Sequence, residues 1–447
     1  MDQGDLFDRG VNEANPTGAS PPPRVGPKRL RHAVRDQIEF RECALDELLP
    51  DGHEARIVWD YVCGLNLSVL REPIQAVEHG PGQAPADPRI LMTLWLYATL
   101  RSIGSARELN RQCLHHAAYQ WICGGVSMNY HTLSDFRTQH VDLLDRLLAE
   151  SVASLMTEGL VTLDRVAQDG MRVRASAGAA SFRRQPTLEA ALAEAEEQVA
   201  RLRKELEADP GAQKTRQQAA RERAAEERAK RIRAALEQLP KIIASRKRKA
   251  RESARASTTD AEARVMKMGD GGYRPAYNAQ FATATDSQII TGADVTNSGG
   301  DQGQMAPMIE QHGQRYEQVP GEMLVDGGFV KKEDIEQAAL GGTTVYAPVQ
   351  KSQDPARDPH TPRPDDPPAV AEWRQRMAGD EAKIIYRERA STAECVNALA
   401  RNRGLQRFVV RGLRKVKAVV LWYVLAHNLM RAATLRAAAA KMAVCSG

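Results

Sequence analysis

The sequence predicts an α/β fold, a mixed sheet with flanking helices, preceded by an all-helical module and interrupted by an inserted helical hairpin. Three observations predict it. Apolar residues recur at helical spacing from about Gln37 to Leu160; beyond Gly159 the period shortens to two in segments that alternate with helical ones; and a heptad seam of apolar residues runs through the stretch 184–255. A chain of 447 residues has room for one large domain and one or two smaller modules.

Bulk composition narrows the class. Hydrophobic residues make up 42% and charged residues 27%, the average of a globular chain with polar insertions. The apolar stretch Ala418 to Leu425 falls far short of the roughly 20 residues of a spanning helix, so no membrane segment is expected. The start, MDQGDLFDRG, lacks the apolar core of a secretory signal. Six cysteines form no C-x-x-C pair and have no histidine at zinc-finger spacing, which fits idle thiols in a reducing cytoplasm.

The elements follow in order. Residues 1–36, rich in Gly, Pro, Asn and Asp, are expected to be a disordered tail. Residues 37–160 form the helical module. Asp87-Pro88 opens RILMTLWLYATLRS as N-cap and first helical position, and the capping box Ser105-Ala106-Arg107-Glu108 opens the next helix. Two helices joined by a short turn containing Gly104 fit a DNA-reading helix-turn-helix, a geometry that helical bundles share. The sheet is expected from VTLDRVAQDGMRVRAS, YNAQFATAT, QIITGADVTN, EMLVDGGF and TTVYAPVQ, with helices over DQGQMAPMIEQHGQRY and KKEDIEQAAL, so residues 161–183 and 256–430 make one domain.

Two insertions interrupt that domain. In 184–255 the seam Leu188, Leu192, Ala195, Val199, Leu202 and Leu206 breaks at Asp209-Pro210-Gly211, and a second arm with Ile232, Leu236 and Leu239 precedes Pro240, which predicts an antiparallel helical hairpin. Lys214 to Arg255 holds 15 Lys or Arg against 5 Glu, more surplus charge than the +5 of the whole chain. Such a run is either a solvated coiled-coil face or a phosphate-binding surface, with Arg246, Lys247, Arg248 and Lys249 the candidate contacts. The second insertion, 350–380, reads as an irregular proline-rich loop, in which Trp373 and Arg376 are candidates for stacking on a base. Residues 431–447 are taken as a C-terminal tail.

Candidate chemistry centres on carboxylates. Asp169 and Asp326 each end an apolar strand segment before glycine, and Glu394 sits on the helical stretch STAECVNALARNRG. Each is as well explained as a turn or surface residue, and spacing alone does not select three carboxylates from 57. Arg172 and Arg174 alternate beyond Asp169, so they share a face and suit either DNA backbone or solvent. Tyr277, Asn278 and Gln280 read as packing and turn residues, His427 and Asn428 as satisfied core polar groups.

Taken as a series, VAQDGMRVRASAG, DGGYRPAYNAQFATATDSQIITGADVTNSGGDQGQMAPMIEQ, LVDGGF, YRERASTAE and RFVVRGLRKVKAVVLWYVLAHNL resemble the successive blocks of bacterial insertion-sequence transposases with an Asp-Asp-Glu triad. The likeness covers about residues 40–430 in family order. It implies a ribonuclease H-like catalytic domain, with Asp169, Asp326 and Glu394 as catalytic and metal-binding residues. Two divalent ions, Mg²⁺ or alternatively Mn²⁺, are the implied cofactors. Tyr386, Arg389 and Arg401 match the family's aromatic and basic companions. Two departures stand out: four residues, not three, separate Arg389 from Glu394, and Arg401 replaces a lysine, so Glu388 is a rival third ligand.

The resemblance thus implies a DNA transposase that binds terminal repeats of double-stranded DNA and catalyses metal-dependent cleavage and strand transfer. A homodimer or larger assembly on DNA and a cytoplasmic, nucleoid-associated location go with it. The alternatives are a metal-dependent nuclease and a catalytically decayed DNA-binding derivative.

Overall fold

The computed structural model describes residues 44–76, 84–208, 216–351 and 357–446, and the described residues from Leu45 onward form one compact unit. The stretch 1–36 and the break at Asp209-Pro210-Gly211 lie outside the described residues.

The helical segment comprises α1 (Glu54–Cys63), α2 (Ser68–Arg71), α3 (Pro88–Leu100), α4 (Ala106–His115), α5 (Ala117–Cys123), α6 (Tyr130–Gln139) and α7 (Val141–Thr157). Its start signals act as expected. Asp87 Oδ1 accepts from the Arg89 N–H at 2.8 Å with Pro88 at the first position, and Ser105 Oγ accepts from the Glu108 N–H at 3.4 Å. Helix α3 is apolar almost all round and correspondingly buried from Ile90 to Thr99, as such a helix must be.

The sheet follows. Strand β1 (Arg165–Arg174) is central; β2 (Phe182–Arg183) pairs with β3 (Ala256–Ser257) as a two-stranded clasp at the base of the hairpin arms α8 (Gln185–Ala208) and α9 (Arg216–Ala244). Then come β4 (Arg264–Lys267), β5 (Tyr273–Ala284), β6 (Ile290–Thr296), α10 (Met305–Tyr316), β7 (Glu322–Leu324), α11 (Lys332–Leu340) and β8 (Thr344–Tyr346). The path is β4-β5-β1-β7-β8, with β6 also paired to β5; β5 runs antiparallel to both β1 and β6, while β7 and β8 run parallel to β1. Helix α10 leads from β6 into β7 and α11 from β7 into β8, the crossovers that parallel strands require.

The chain ends in α12 (Pro368–Ala378), α13 (Asp380–Arg389), a π-helical turn (Ala390–Glu394), α14 (Cys395–Asn402) and α15 (Leu413–Ser446). Among the described residues α15 is the one helix long and apolar enough to cross a membrane. Here it is the packing axis of the fold: Val416, Leu421, Trp422, Val424 and Leu425 share one core with α1–α7 and with Met171, Val173 and Phe281 of the sheet. A second core lies on β7, β8, α10 and α12, and a third inside the hairpin. His427 and Asn428 of α15 are satisfied core groups: the histidine ring bonds the Gln288 carbonyl at 2.9 Å, and the amide bonds both the N–H and the carbonyl of Ile290.

Three segments differ from expectation. The proline-rich insertion is not irregular throughout, because Pro368 opens α12 at a position where a missing N–H costs nothing. Pro240 does not end α9, which continues to Ala244; burial of Ile242 against the hairpin offsets the lost hydrogen bond, a cost of about 3 kcal/mol. Residues 431–446 continue α15, as the helix-forming run Ala437 to Ala440 favours.

Candidate active site

Parallel pairing of β1 and β7 builds the centre of the site. Ala167 pairs with Leu324, so two residues further along the neighbouring chains stand Asp169 and Asp326. Asp326 ends β7 in a turn where its Oδ1 accepts the Gly328 N–H at 2.7 Å; a Cβ on Gly328 would lie 2.9 Å from that oxygen, so the turn calls for glycine. Asp169 is largely buried. Its Oδ1 takes the Gly170 N–H at 2.9 Å and Arg389 Nη2 at 3.1 Å, and its Oδ2 takes the Asn397 amide at 2.9 Å. Burial pushes the carboxyl above its usual range, Arg389 opposes that, and the charge of Asp326 adds to it.

Glu394 enters through Arg389, whose Nη1 lies 3.2 Å from Glu394 Oε1. In an α-helix residues five apart are turned about 140° from each other and could not share this contact. The π turn over Ala390–Glu394 accommodates the extra residue and brings both to one side. The departure in spacing noted in the sequence is therefore absorbed locally. Burial disfavours the Arg389 charge, yet Asp169, Tyr386, Asp326 and Glu394 together hold its pKa above the ordinary value. Burial likewise raises Tyr386, helped by the fields of Asp326, Asp169 and Glu394. The rival Glu388 faces elsewhere: its Oε1 lies 2.6 Å from Arg165 Nη1, and Arg165 also holds Glu322.

The other candidates are dispersed. Alternation along β1 sets Arg172 and Arg174 on the face opposite Asp169. Arg172 pairs there with buried Asp301 at 2.7 Å, and Asp301 Oδ1 also accepts from Asn278 at 2.7 Å and Gln280 at 2.8 Å. A Cβ on Gly170 would collide with that same oxygen, so the network occupies the space of a side chain. Tyr277 donates to Asp260 at 2.7 Å. Arg174 and Arg401 are exposed. Trp373 is buried, donating to the Ala347 carbonyl at 3.1 Å, and Arg376 bonds the Val345 carbonyl.

At the hairpin, Arg203, Arg228 and Arg233 pair with glutamates of the opposite arm, so much of the charge surplus is met internally. The surplus gathers at the base. Arg246 bonds Ser253 at 3.0 Å, while Lys247 and Arg248 are exposed; the side chain of Lys249 lies outside the described residues. A cleft of about 910 Å³ there is lined by Lys241, Arg246, Arg255 and Arg264 against Glu262. A second cleft of about 650 Å³, beyond the C-terminal ends of β7 and β8, is lined by Lys331, Lys332, Lys351, Arg357 and Arg363. Sequence reasoning missed it, because its cations come from separate segments and form no run.

The donor chemistry fits a hard divalent cation: carboxylate oxygens of Asp169 and Asp326, with the buried Asn397 Oδ1 beside them lacking any partner. Among the described residues no three His, Cys, Asp or Glu side chains are grouped closely enough to hold a metal ion. Arg389 is the cation that stands between Asp169 and Glu394.

Two family models match the chain. One, described as Transposase domain (DUF772), covers residues 43–139, the stretch of α1–α6; the other, Transposase DDE domain, covers 353–433 and includes Tyr386, Arg389, Glu394, Asn397 and Arg401. Asp169 and Asp326 lie between the two matches. No curated protein and no solved structure matches the chain.

Proposed function

We propose, on the support of the two transposase family models, that the chain is an insertion-sequence transposase of the Asp-Asp-Glu type, which binds the terminal repeats of its element and catalyses metal-dependent DNA cleavage and strand transfer at Asp169, Asp326 and Glu394. One observation carries the reading: Asp169, midway along β1 and not at its end as the sequence suggested, stands beside Asp326, two residues past the end of the parallel neighbour β7, while Arg389 ties Glu394 to Asp169. The order β6-β5-β1-β7-β8, with three antiparallel strands followed by two parallel ones, supports a ribonuclease H-like domain over 161–183 and 256–430.

Two Mg²⁺ ions, or Mn²⁺, held by the three carboxylates would supply an activated water and stabilise the leaving oxygen. The chain's own residues do the rest. The Gly170 N–H orients Asp169. Arg389, once free of the carboxylates, presents a two-pronged fork suited to a phosphate, with Tyr386 beside it. Exposed Arg401, Arg174 and the basic clefts offer contacts for the DNA backbone. The freed 3′-hydroxyl then attacks target DNA in a second in-line displacement, without a covalent protein intermediate. Joining two ends in concert calls for a homodimer or larger assembly on DNA, acting at the nucleoid in the cytoplasm, with 37–160 and the hairpin 184–255 as DNA-binding modules.

The occupation of the site by Arg389 also favours a second reading, a decayed copy that binds DNA only. Incubating the full chain with labelled DNA carrying the terminal repeats, with and without Mg²⁺, separates them. Joined product that requires Mg²⁺ is expected. Cleavage without joining points to a nuclease, and binding with neither to the decayed copy.

A further inference from the structure

Asn397 lies three residues beyond Glu394, on the adjoining turn of α14, and is buried to 3% exposure. Its amide nitrogen donates to Asp169 Oδ2 at 2.9 Å. Its Oδ1 is buried with no partner. Turning the amide over would not cure this, since an oxygen would then face the carboxylate and the NH₂ would be orphaned instead. A buried unsatisfied acceptor is a cost that leucine or methionine at this position would avoid. The cost is placed against Asp169, whose side chain is 17% exposed.

The two side chains that grip Asp169 differ in kind. Arg389 brings a positive charge, which competes with any cation for the carboxylate. Asn397 brings a neutral donor on the other oxygen, which is compatible with a cation on Asp169 and leaves a free carbonyl oxygen beside it. Hydrogen-bond donors behind ligating groups fix their orientation, and their loss lowers metal affinity by about 10–100-fold.

We infer that Asn397 is a positioning residue of the site: it holds Asp169 in its cation-binding orientation, and its orphaned carbonyl oxygen accepts from water that enters with the cation. The inference rests on the proposed function and adds to it a residue outside the triad and its basic companions. It is tested by calorimetric titration of Mn²⁺ into the full-length chain, comparing wild type, Asp169→Asn, Asn397→Ala and Asn397→Leu, with thermal melting in the absence of metal. The expected result is a Mn²⁺ affinity at least about tenfold weaker in both Asn397 variants, and a half-saturating Mg²⁺ concentration for DNA cleavage raised by a similar factor. The rate at saturating Mg²⁺ recovers. A merely structural asparagine would lower the melting temperature and leave both metal readouts unchanged. Mn²⁺ affinity within twofold of wild type in either folded variant overturns the role of Asn397 while sparing the metal site. Equal binding by wild type and Asp169→Asn overturns the metal reading itself, and the Asn397 role with it.

Discussion

Replacing Arg172 by methionine tests whether this arginine serves the fold or the DNA. Its partner Asp301 has a side chain only 8% exposed, and the arginine itself is 29% exposed. Removing one partner of a fully buried pair costs about 3–5 kcal/mol; partial exposure of Arg172 and the two amide donors left on Asp301 reduce this to about 2–3 kcal/mol. With an unfolding entropy of roughly 2 cal/mol/K per residue over about 400 residues, the melting temperature should fall by about 3 °C. Asp301→Asn removes the buried charge that Arg172 offsets. In its background Arg172→Met should therefore cost at least about 1 kcal/mol less, a coupling read by a double-mutant cycle in calorimetric melts. DNA binding should keep its salt dependence. The reasoning is refuted if Arg172→Met melts like wild type and instead lowers the slope of log affinity against log salt by about 1, the signature of one lost phosphate contact.

Three further outcomes follow from the same structure. Burial raises the Asp169 pKa, so the folded chain binds its proton more tightly than the unfolded one and stability falls as pH rises from the usual carboxylate value through the raised one. Asp169→Asn should therefore melt at or above wild type at neutral pH without metal, with the difference vanishing below the usual carboxylate range; a lower melting temperature at pH 7 would contradict this. His312 and His427 are buried and held down at about 4, so their contribution is complete above the unfolded value near 6.5 and is lost as pH falls towards 4. His312→Gln should flatten the acid limb of the stability curve between pH 6.5 and 4, as denaturant titrations would show. Replacing Arg357 and Arg363 together by alanine should lower the salt slope of DNA binding by about 2, whereas an unchanged slope would remove the cleft beyond β7 and β8 from the DNA path.

Much of the fold was legible because periodicity is a local signal. The alternation in VTLDRVAQDGMRVRAS gave β1, the seam from Leu188 gave the hairpin, and Asp87 and Ser105 marked helix starts that the hydrogen bonds bear out. Proline misled at both insertions, since its effect depends on position: Pro368 starts a helix and Pro240 sits within one. Partnerships between distant residues were not legible. Arg172 and Asp301 are 129 positions apart, and Asn397 and Asp169 are 228 apart. The five-residue step from Arg389 to Glu394 could be counted in the sequence, yet only a π turn makes it a contact. Asn397 carried no signal at all, being one neutral amide on an amphipathic helix.

The central claim, that Asp169, Asp326 and Glu394 act as one site, is tested most directly by assaying cleavage and joining of terminal-repeat DNA in Mg²⁺ by isosteric variants of each, with Glu388→Gln alongside. Asp169→Asn, Asp326→Asn and Glu394→Gln should each abolish cut and joined product while still binding DNA, and Glu388→Gln should retain activity. Full activity in Glu394→Gln together with its loss in Glu388→Gln would contradict the account and move the third carboxylate to the residue paired with Arg165.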